Sequence, residues 1–456
     1  MSKRKKVTRR DFLKKSSSYA AACLSFPYIV NSKVLAKNAG VLPSEKLRLG
    51  CIGLGGQGTH NMNAFIRNPD VQLVALCDVN KGSDDYDMLY QFKGTTAGLM
   101  PAKKRALEYY ASKNDSAQYK GIDTYHDFRD LLGRDDIDIV SVCTPDHWHG
   151  LVSLQAAKAG KDIYCEKPLT NTIHEGRAVC DAVKKYKRVL QTGSHERSND
   201  TTRYAAELVR NGRIGKLHTI EINMPVDNQI KVDTQPEMPV PENFDYDYWL
   251  GPTPKVPYTH RRCHFYWRYQ LAYGGGEMTD RGAHIIDLAQ MAMDADKTGP
   301  VEIVAHGQAP QTGLFDTFDR FQFECKYTNG VVMKGQSGGT RGLKLIGSDG
   351  WVFIHIHGGR LEASDPALLK EYIYPDEIHL ERSPGHHRDF LDCVKTRRVP
   401  VACAETGHRT GTICHLLNIA MQSDSKLRWD PVNEQITNNE NANRMVSRPI
   451  RSPWRL

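Results

Sequence analysis

With 456 residues, 40% of them hydrophobic and 25% charged, the chain has an ordinary globular composition and enough length for two packed domains. Its formal charge of +8 sits at one end, because nine of the 61 Lys and Arg residues (Lys3, Arg4, Lys5, Lys6, Arg9, Arg10, Lys14, Lys15 and Lys33) fall in residues 1–36 against one acid, Asp11. The remainder is charge-balanced, which removes the electrostatic footprint of a nucleic-acid binder, and no window is long and apolar enough to span a bilayer.

The chain opens on Thr8-Arg9-Arg10-Asp11-Phe12-Leu13-Lys14, followed by an apolar stretch over 17–30 and small residues at Val34-Leu35-Ala36. Basic, apolar and small-residue parts stand in export order, and the first resembles a bacterial twin-arginine (Tat) signal at every fixed position. The expectation is a leader over 1–36 removed near Ala36, engagement with the Tat export machinery, and a periplasmic or exported protein. Cys23 follows three alanines, but the leucine usual three residues before a lipid-anchor cysteine is missing, which argues against an anchor. The 11 cysteines form no CxxC pair, and Cys51, Cys77, Cys143 and Cys165 lie in or at the ends of strand-like apolar runs. Few or no disulfides and no metal site are expected from them.

From residue 47 short apolar runs alternate with helical stretches. The pattern predicts strands over 47–53, 71–77, 137–143, 162–165 and 189–192, with helices after Gly58 and over 151–159 and 174–186. Such alternation implies a Rossmann-type, doubly wound parallel sheet over 46–195. A polar insertion and a helix fill 82–120. The first strand–helix turn carries Gly53-Leu54-Gly55-Gly56-Gln57-Gly58, a GxGxxG, and the second strand ends at Asp78. Glycines at this spacing allow a tight turn and close backbone approach to a pyrophosphate at a helix N-terminus. An acid at the end of the second strand accepts hydrogen bonds from the ribose hydroxyls and repels a 2′-phosphate, favouring NAD over NADP.

Two later strands end in Thr144-Pro145-Asp146-His147-Trp148-His149 and Glu166-Lys167-Pro168, at the carboxyl edge where such sheets bind ligands. GxGxxG, the acidic strand end, the TP…H loop and EKP, in this order and spacing, resemble the Gfo/Idh/MocA oxidoreductases. After residue 195 the alternation gives way to a helix over 201–211 and strand-like runs over 217–224, 301–307, 320–327, 331–337 and 351–357. A Pro-, Asp- and Tyr-rich excursion fills 225–257, and helices are expected over 386–395 and 406–421. This suits a C-terminal α+β domain, 196–425, with a large, mostly antiparallel sheet, and a tail, 426–456, anchored on the body through Trp429-Asp430-Pro431 and the last nine residues. A late helix packing back on the first domain fits the same outline.

The stretch Trp267-Arg268 through Gly274-Gly275-Gly276, Asp280, Gly282, His284 and Asp287 resembles the family's G-G-G-x-x-x-D-x-G-x-H-x-x-D run. Asp280 and His284 are four apart, so on one helix they share a face, where the carboxylate could orient the ring and stabilise its protonated form. The resemblance implies Lys167 and His284 as an acid/base pair with Asp280 as third member. It implies Gly53, Leu54, Gly55, Gln57, Gly58, Asp78, Thr144, Pro145, His149, Glu166, Lys167, Trp267 and Arg268 around an NAD. A lysine beside a cationic ring has a depressed pKa, which suits a proton acceptor. The flat faces of Tyr266 and Tyr269 and the polar groups of His195, Arg197 and His284 suit a sugar. The resemblance thus implies an NAD-dependent oxidoreductase acting on a secondary hydroxyl of a sugar, polyol or glycoside. The alternatives are a glycoside hydrolase or lyase that returns the hydride within each turnover, and a non-catalytic sugar- or nucleotide-binding module. A homodimer or homotetramer is expected, since an open sheet invites pairing. A protein exported folded carries its cofactor with it, so the NAD must be tightly held and regenerated in place.

Overall fold

The computed structural model describes residues 45–86, 96–113, 121–226 and 234–456. The expected leader with Cys23, and parts of the 82–120 insertion and the 225–257 excursion, lie outside the described residues. Among the described residues ten cysteines are all free, and no helix is long and apolar enough to cross a membrane.

Six strands, β1 (Leu47–Ile52), β2 (Val71–Cys77), β3 (Asp123–Tyr125), β4 (Ile139–Val142), β5 (Asp162–Cys165) and β6 (Leu190–Thr192), form a parallel sheet in the order β3-β2-β1-β4-β5-β6. The inner strands are apolar almost without interruption because both faces are covered. On one side lie α1 (Gly56–Ile66) and α2 (Leu99–Lys113), which share a core with Leu49, Leu73 and Tyr164. On the other lie α3 (Phe128–Leu132), α4 (Asp146–Lys158) and α5 (Ile173–Lys185), packed on Ile52, Val140 and Ile163. The strand order reverses between β1 and β4, so their carboxyl ends splay open into a crevice.

The chain then runs through α6 (Asp200–Arg210), β7 (Leu217–Met224), α7 (Tyr246–Leu250), α8 (Glu277–Asp280) and α9 (Gly282–Ala292). Eight further strands follow: β8 (Glu302–Gln308), β9 (Arg320–Lys326), β10 (Val332–Ser337), β11 (Gly342–Gly347), β12 (Trp351–His355), β13 (Leu361–Ala363), β14 (Leu427–Asp430) and β15 (Gln435–Ile436). With β7 they form a nine-stranded sheet in the order β13-β12-β11-β7-β10-β9-β8-β14-β15, antiparallel throughout except β7 against β10. Here the side chains alternate. Ile220, Ile222 and Met224 of β7 and Phe321, Phe323 and Cys325 of β9 are buried, while Glu221 and Gln322 face outward. The buried face is covered by α6, α9 and α11 (Ala404–Ser423), through residues such as Ala205, Ile285, Ile286, Leu416 and Leu417.

The chain's end returns to the first sheet. Phe390 and Leu391 of α10 (His386–Thr396) join the Leu49 and Phe65 core, and Trp454 meets Trp148 edge-on at 4.7 Å and stacks on Phe128. Just after the sequence boundary at 425, β14 pairs with β8 and β15 with β14, so residues 427–436 anchor on the body as the edge of the second sheet. Strands β3, β11, β13, β14 and β15 are not among those the sequence predicts. β3 is three residues of exposed or half-buried side chains, and β11 is flanked by glycines that read as turn.

Candidate functional site

The crevice opens into a cavity of about 370 Å³. Its floor is the turn after β1. Gly53 has φ +84, and a Cβ there would stand 2.6 Å from the Cys143 carbonyl oxygen, while one on Gly58 would collide with the carbonyl of Gly53. The turn therefore closes tightly, which is what a dinucleotide cradle requires. Asp78 accepts hydrogen bonds from Leu54 N at 2.5 Å and Asn80 N at 2.8 Å, and burial lifts its carboxyl to about 6 despite them. Thr144 presents a buried hydroxyl without a protein partner. Glycines, acid and hydroxyl all line the cavity and fit a nicotinamide dinucleotide.

At the other end Lys167 reaches across from the β5 loop to α8. Its Nζ donates to Asp280 Oδ1 at 2.5 Å and to the Asp280 carbonyl at 3.0 Å. Arg268 Nε lies 3.6 Å from the same oxygen, with its guanidinium 4.4 Å above the Trp267 ring. Burial would raise the Asp280 carboxyl, but the Lys167 and Arg268 cations outweigh it and hold it well below the carboxylate range. Glu166 is buried, accepting from Asn61 at 2.8 Å and Gln57 at 3.3 Å.

The Asp280 carboxylate bonds Lys167 rather than the His284 ring, which the sequence suggested it could orient. Arg281, between α8 and α9, keeps helical dihedrals (φ −78, ψ −38), and both the Asp280 carboxylate and its main-chain carbonyl accept from Lys167. Burial, then the Lys167, His195 and His357 side chains, push the His284 imidazole well below its usual pKa, and its Nδ1 has no protein partner. It is a neutral ring at physiological pH.

Most of the expected site residues reach the cavity: Gly53, Gly55, Gln57, Gly58, Asp78, Thr144, Pro145, His149, Glu166, Lys167, His195, Trp267, Arg268, Asp280 and His284 all line it. Four do something else. Leu54 is fully buried and its N–H is taken by Asp78. Arg197 lies in an ion cluster with Asp287 (2.7 Å) and Asp296 (2.7 and 2.8 Å), which uses up its guanidinium. Tyr266 and Tyr269 pack into a satellite core around Phe315 rather than offering a face to ligand. His149 lines the cavity, but both ring nitrogens face backbone carbonyls, of Pro168 (2.7 Å) and Thr144 (2.8 Å), so it staples the two loops together.

Several lining residues were not singled out as site residues. Asp146 opens α4, and burial pushes its carboxyl well above the usual range although Lys167 and Arg268 are near. It directly follows Thr144-Pro145, a signal the sequence did offer. Tyr86 lies against Gly55 of the glycine turn, and His357 comes from the β12–β13 connection. No local motif marks these two.

Comparison with known proteins fits this architecture. The model for the C-terminal alpha/beta domain of the Gfo/Idh/MocA oxidoreductase family matches residues 209–456, and that for its NAD-binding Rossmann fold matches 94–194. A glycosyl hydrolase family 109 protein from Shewanella pealeana is 27% identical over 222 residues, 46% of this chain and 44% of its own length. The match thus spans under half of that relative. Among solved structures, the WlbA dehydrogenase from Bordetella pertussis, in complex with NADH and UDP-GlcNAcA, aligns with TM-score 0.58 at 15% identity, over 84% of this chain and 99% of that one. A levoglucosan dehydrogenase in complex with NADH and levoglucosan aligns at 0.59 and 18%, with the same coverage.

Proposed function

The chain belongs to the Gfo/Idh/MocA oxidoreductase family, and from that membership we propose that it is an NAD-dependent enzyme oxidising a secondary hydroxyl of a sugar, polyol or glycoside with a tightly held cofactor. The carrying observation is convergence: one cavity joins the glycine turn and Asp78 to Lys167, Asp280 and His284. NAD bound there supplies the hydride acceptor. Asp78, with a pKa of about 6, is an anion at neutral pH, which favours a ribose diol over a 2′-phosphate. Asp280 fixes the Lys167 ammonium group by two contacts, so that it meets a substrate hydroxyl in one orientation. His284, kept neutral by burial, serves as the proton acceptor beside it. The Trp267 ring, stacked under the Arg268 guanidinium, lines the same end of the cavity. The solved relatives named with NADH and a sugar or sugar nucleotide support the substrate class.

A second reading, glycoside cleavage through transient oxidation with the hydride returned, draws on the family 109 relative. It differs in product: free sugar released without accumulating NADH. We further propose export by the Tat route, supported by Thr8-Arg9-Arg10-Asp11-Phe12-Leu13-Lys14, and a homo-oligomer, supported by the outward side chains of the nine-stranded sheet.

The purified chain is expected to carry nicotinamide by absorbance and mass, and to reduce it when offered sugars. Lys167→Met should cut turnover by roughly 10²–10⁴-fold while cofactor content stays unchanged. Full turnover in that variant overturns the role of Lys167, and a protein that neither carries nor takes up NAD overturns the reading itself.

A further inference from the structure

Beyond the redox residues, two histidines of the same cavity, His195 and His357, meet a buried carboxylate, Glu196, behind its wall. His195 and Glu196 begin the 3-10 turn after β6 (His195–Ser198), and His357 lies in the hairpin between β12 and β13. Their ligand-type atoms all fall within 4.8 Å of one another. Glu196 Oε1 stands 3.0 Å from His357 Nδ1 and 3.5 Å from His195 Nε2. A divalent ion bonded to imidazole nitrogen and carboxylate oxygen at about 2.1 Å holds its ligand atoms about 3.0–3.4 Å apart, so small side-chain rotations bring this set into register.

Two further features set the cluster apart from an ordinary surface grouping. Glu196 is only 3% exposed, and among the described residues no Lys or Arg is ion-paired with it. Its Oε2 is buried without a partner. A buried carboxylate oxygen left without a partner carries a desolvation cost that a bound cation would offset. His357, moreover, is held at φ +64, a conformation uncommon for a residue other than glycine, and there its backbone N–H as well as its ring meets Glu196 Oε1.

We infer that His195, Glu196 and His357 form a binding site for a divalent transition-metal cation of the zinc type on the cavity wall beside His284. Two imidazoles and one carboxylate are a donor set suited to such ions, and three protein ligands leave coordination positions for others. His195 and His357 both line the cavity and are half-exposed, so the open positions face it. The His195 ring is 4.7 Å and the His357 ring 5.1 Å from that of His284. On the sugar-oxidation reading, from which this part follows, the cation takes two neighbouring oxygens of the sugar and so selects substrates carrying adjacent hydroxyl or keto groups next to the reacting carbon. Metal binding itself needs neither NAD nor sugar.

The test uses the untagged full chain, stripped with a chelator and titrated with Zn²⁺ by calorimetry, with metal content after dialysis read by mass spectrometry and Co²⁺ absorption as a check on coordination. One equivalent is expected. Glu196→Gln and His357→Asn, the latter because asparagine tolerates the left-handed backbone, should each weaken binding by at least tenfold. Melting temperature and NAD content serve as fold controls for both variants. Lys167→Met should retain the metal in full, so loss of the redox reading and loss of the metal site give different results. Less than a fifth of an equivalent bound, or wild-type affinity retained in both variants, overturns the site. Zn²⁺ bound by the wild type but without effect on KM for vicinal diol sugars overturns the substrate part.

Discussion

Glu196 and Arg197 are neighbours in one turn, and they face opposite kinds of environment. Arg197 enters a closed cluster in which Asp287 and Asp296 satisfy its charge. Glu196 enters a cluster of histidines that leaves one of its oxygens without a partner. Helix α9 meets both: His284 faces the histidines, and Asp287, one turn later, takes Arg197. The same two elements thus form a structural contact and a candidate functional one three residues apart. A charge whose partners are complete holds the fold together. A polar group left incomplete in a cavity is available for chemistry.

Substitution at the two ends of this pairing should separate the roles. His284→Asn is expected to lose roughly 10²–10⁴-fold in kcat/KM while melting within a few degrees of the wild type. A comparable loss of stability would show that the ring is a packing residue instead. Arg197→Met leaves Asp287, 1% exposed, without its cation, and should cost about 3–5 kcal/mol in urea unfolding. If it leaves stability untouched and raises KM for sugar, Arg197 contacts substrate and the contrast collapses.

A smaller effect concerns a third kind of buried charge. The carboxyl of Glu175 is pushed up to about 7, chiefly by burial, even though it accepts from Asn171 N and Arg448 is near. Its pKa is higher folded than unfolded, where it is about 4.3. Its contribution to stability is therefore complete below the unfolded value and is lost as pH rises through 7. Glu175→Gln removes that titration, so its melting temperature should fall less than that of the wild type between pH 5 and 8. Parallel pH profiles would place the group outside this class.

The first sheet was legible because parallel strands covered on both faces are apolar without interruption, and five of its six were readable as runs. The glycine turn, Asp78 and the Glu166-Lys167-Pro168 end were legible for a related reason: each sits at a strand's carboxyl end, a position the alternation itself defines. The pairing of Asp280 was not legible. Spacing of four suggests a shared helical face with His284, and only the approach of Lys167, 113 residues away, takes the carboxylate. Tyr266 and Tyr269 read as sugar platforms because aromatic rings serve both cores and ligands, and burial against Phe315 decides between those uses.

The sequence by itself determined the alternation of the first sheet and the glycine turn that ends its first strand, both of which are local patterns. Which charges are completed was decided by tertiary structure, because Asp287 reaches Arg197, Asp280 reaches Lys167 and His357 reaches Glu196 from 90 to 161 residues away. A chain that distant from itself has no periodicity to read. Contact between the first sheet's last turn and the second sheet's hairpin brings His357 to Glu196, and with it the candidate metal site.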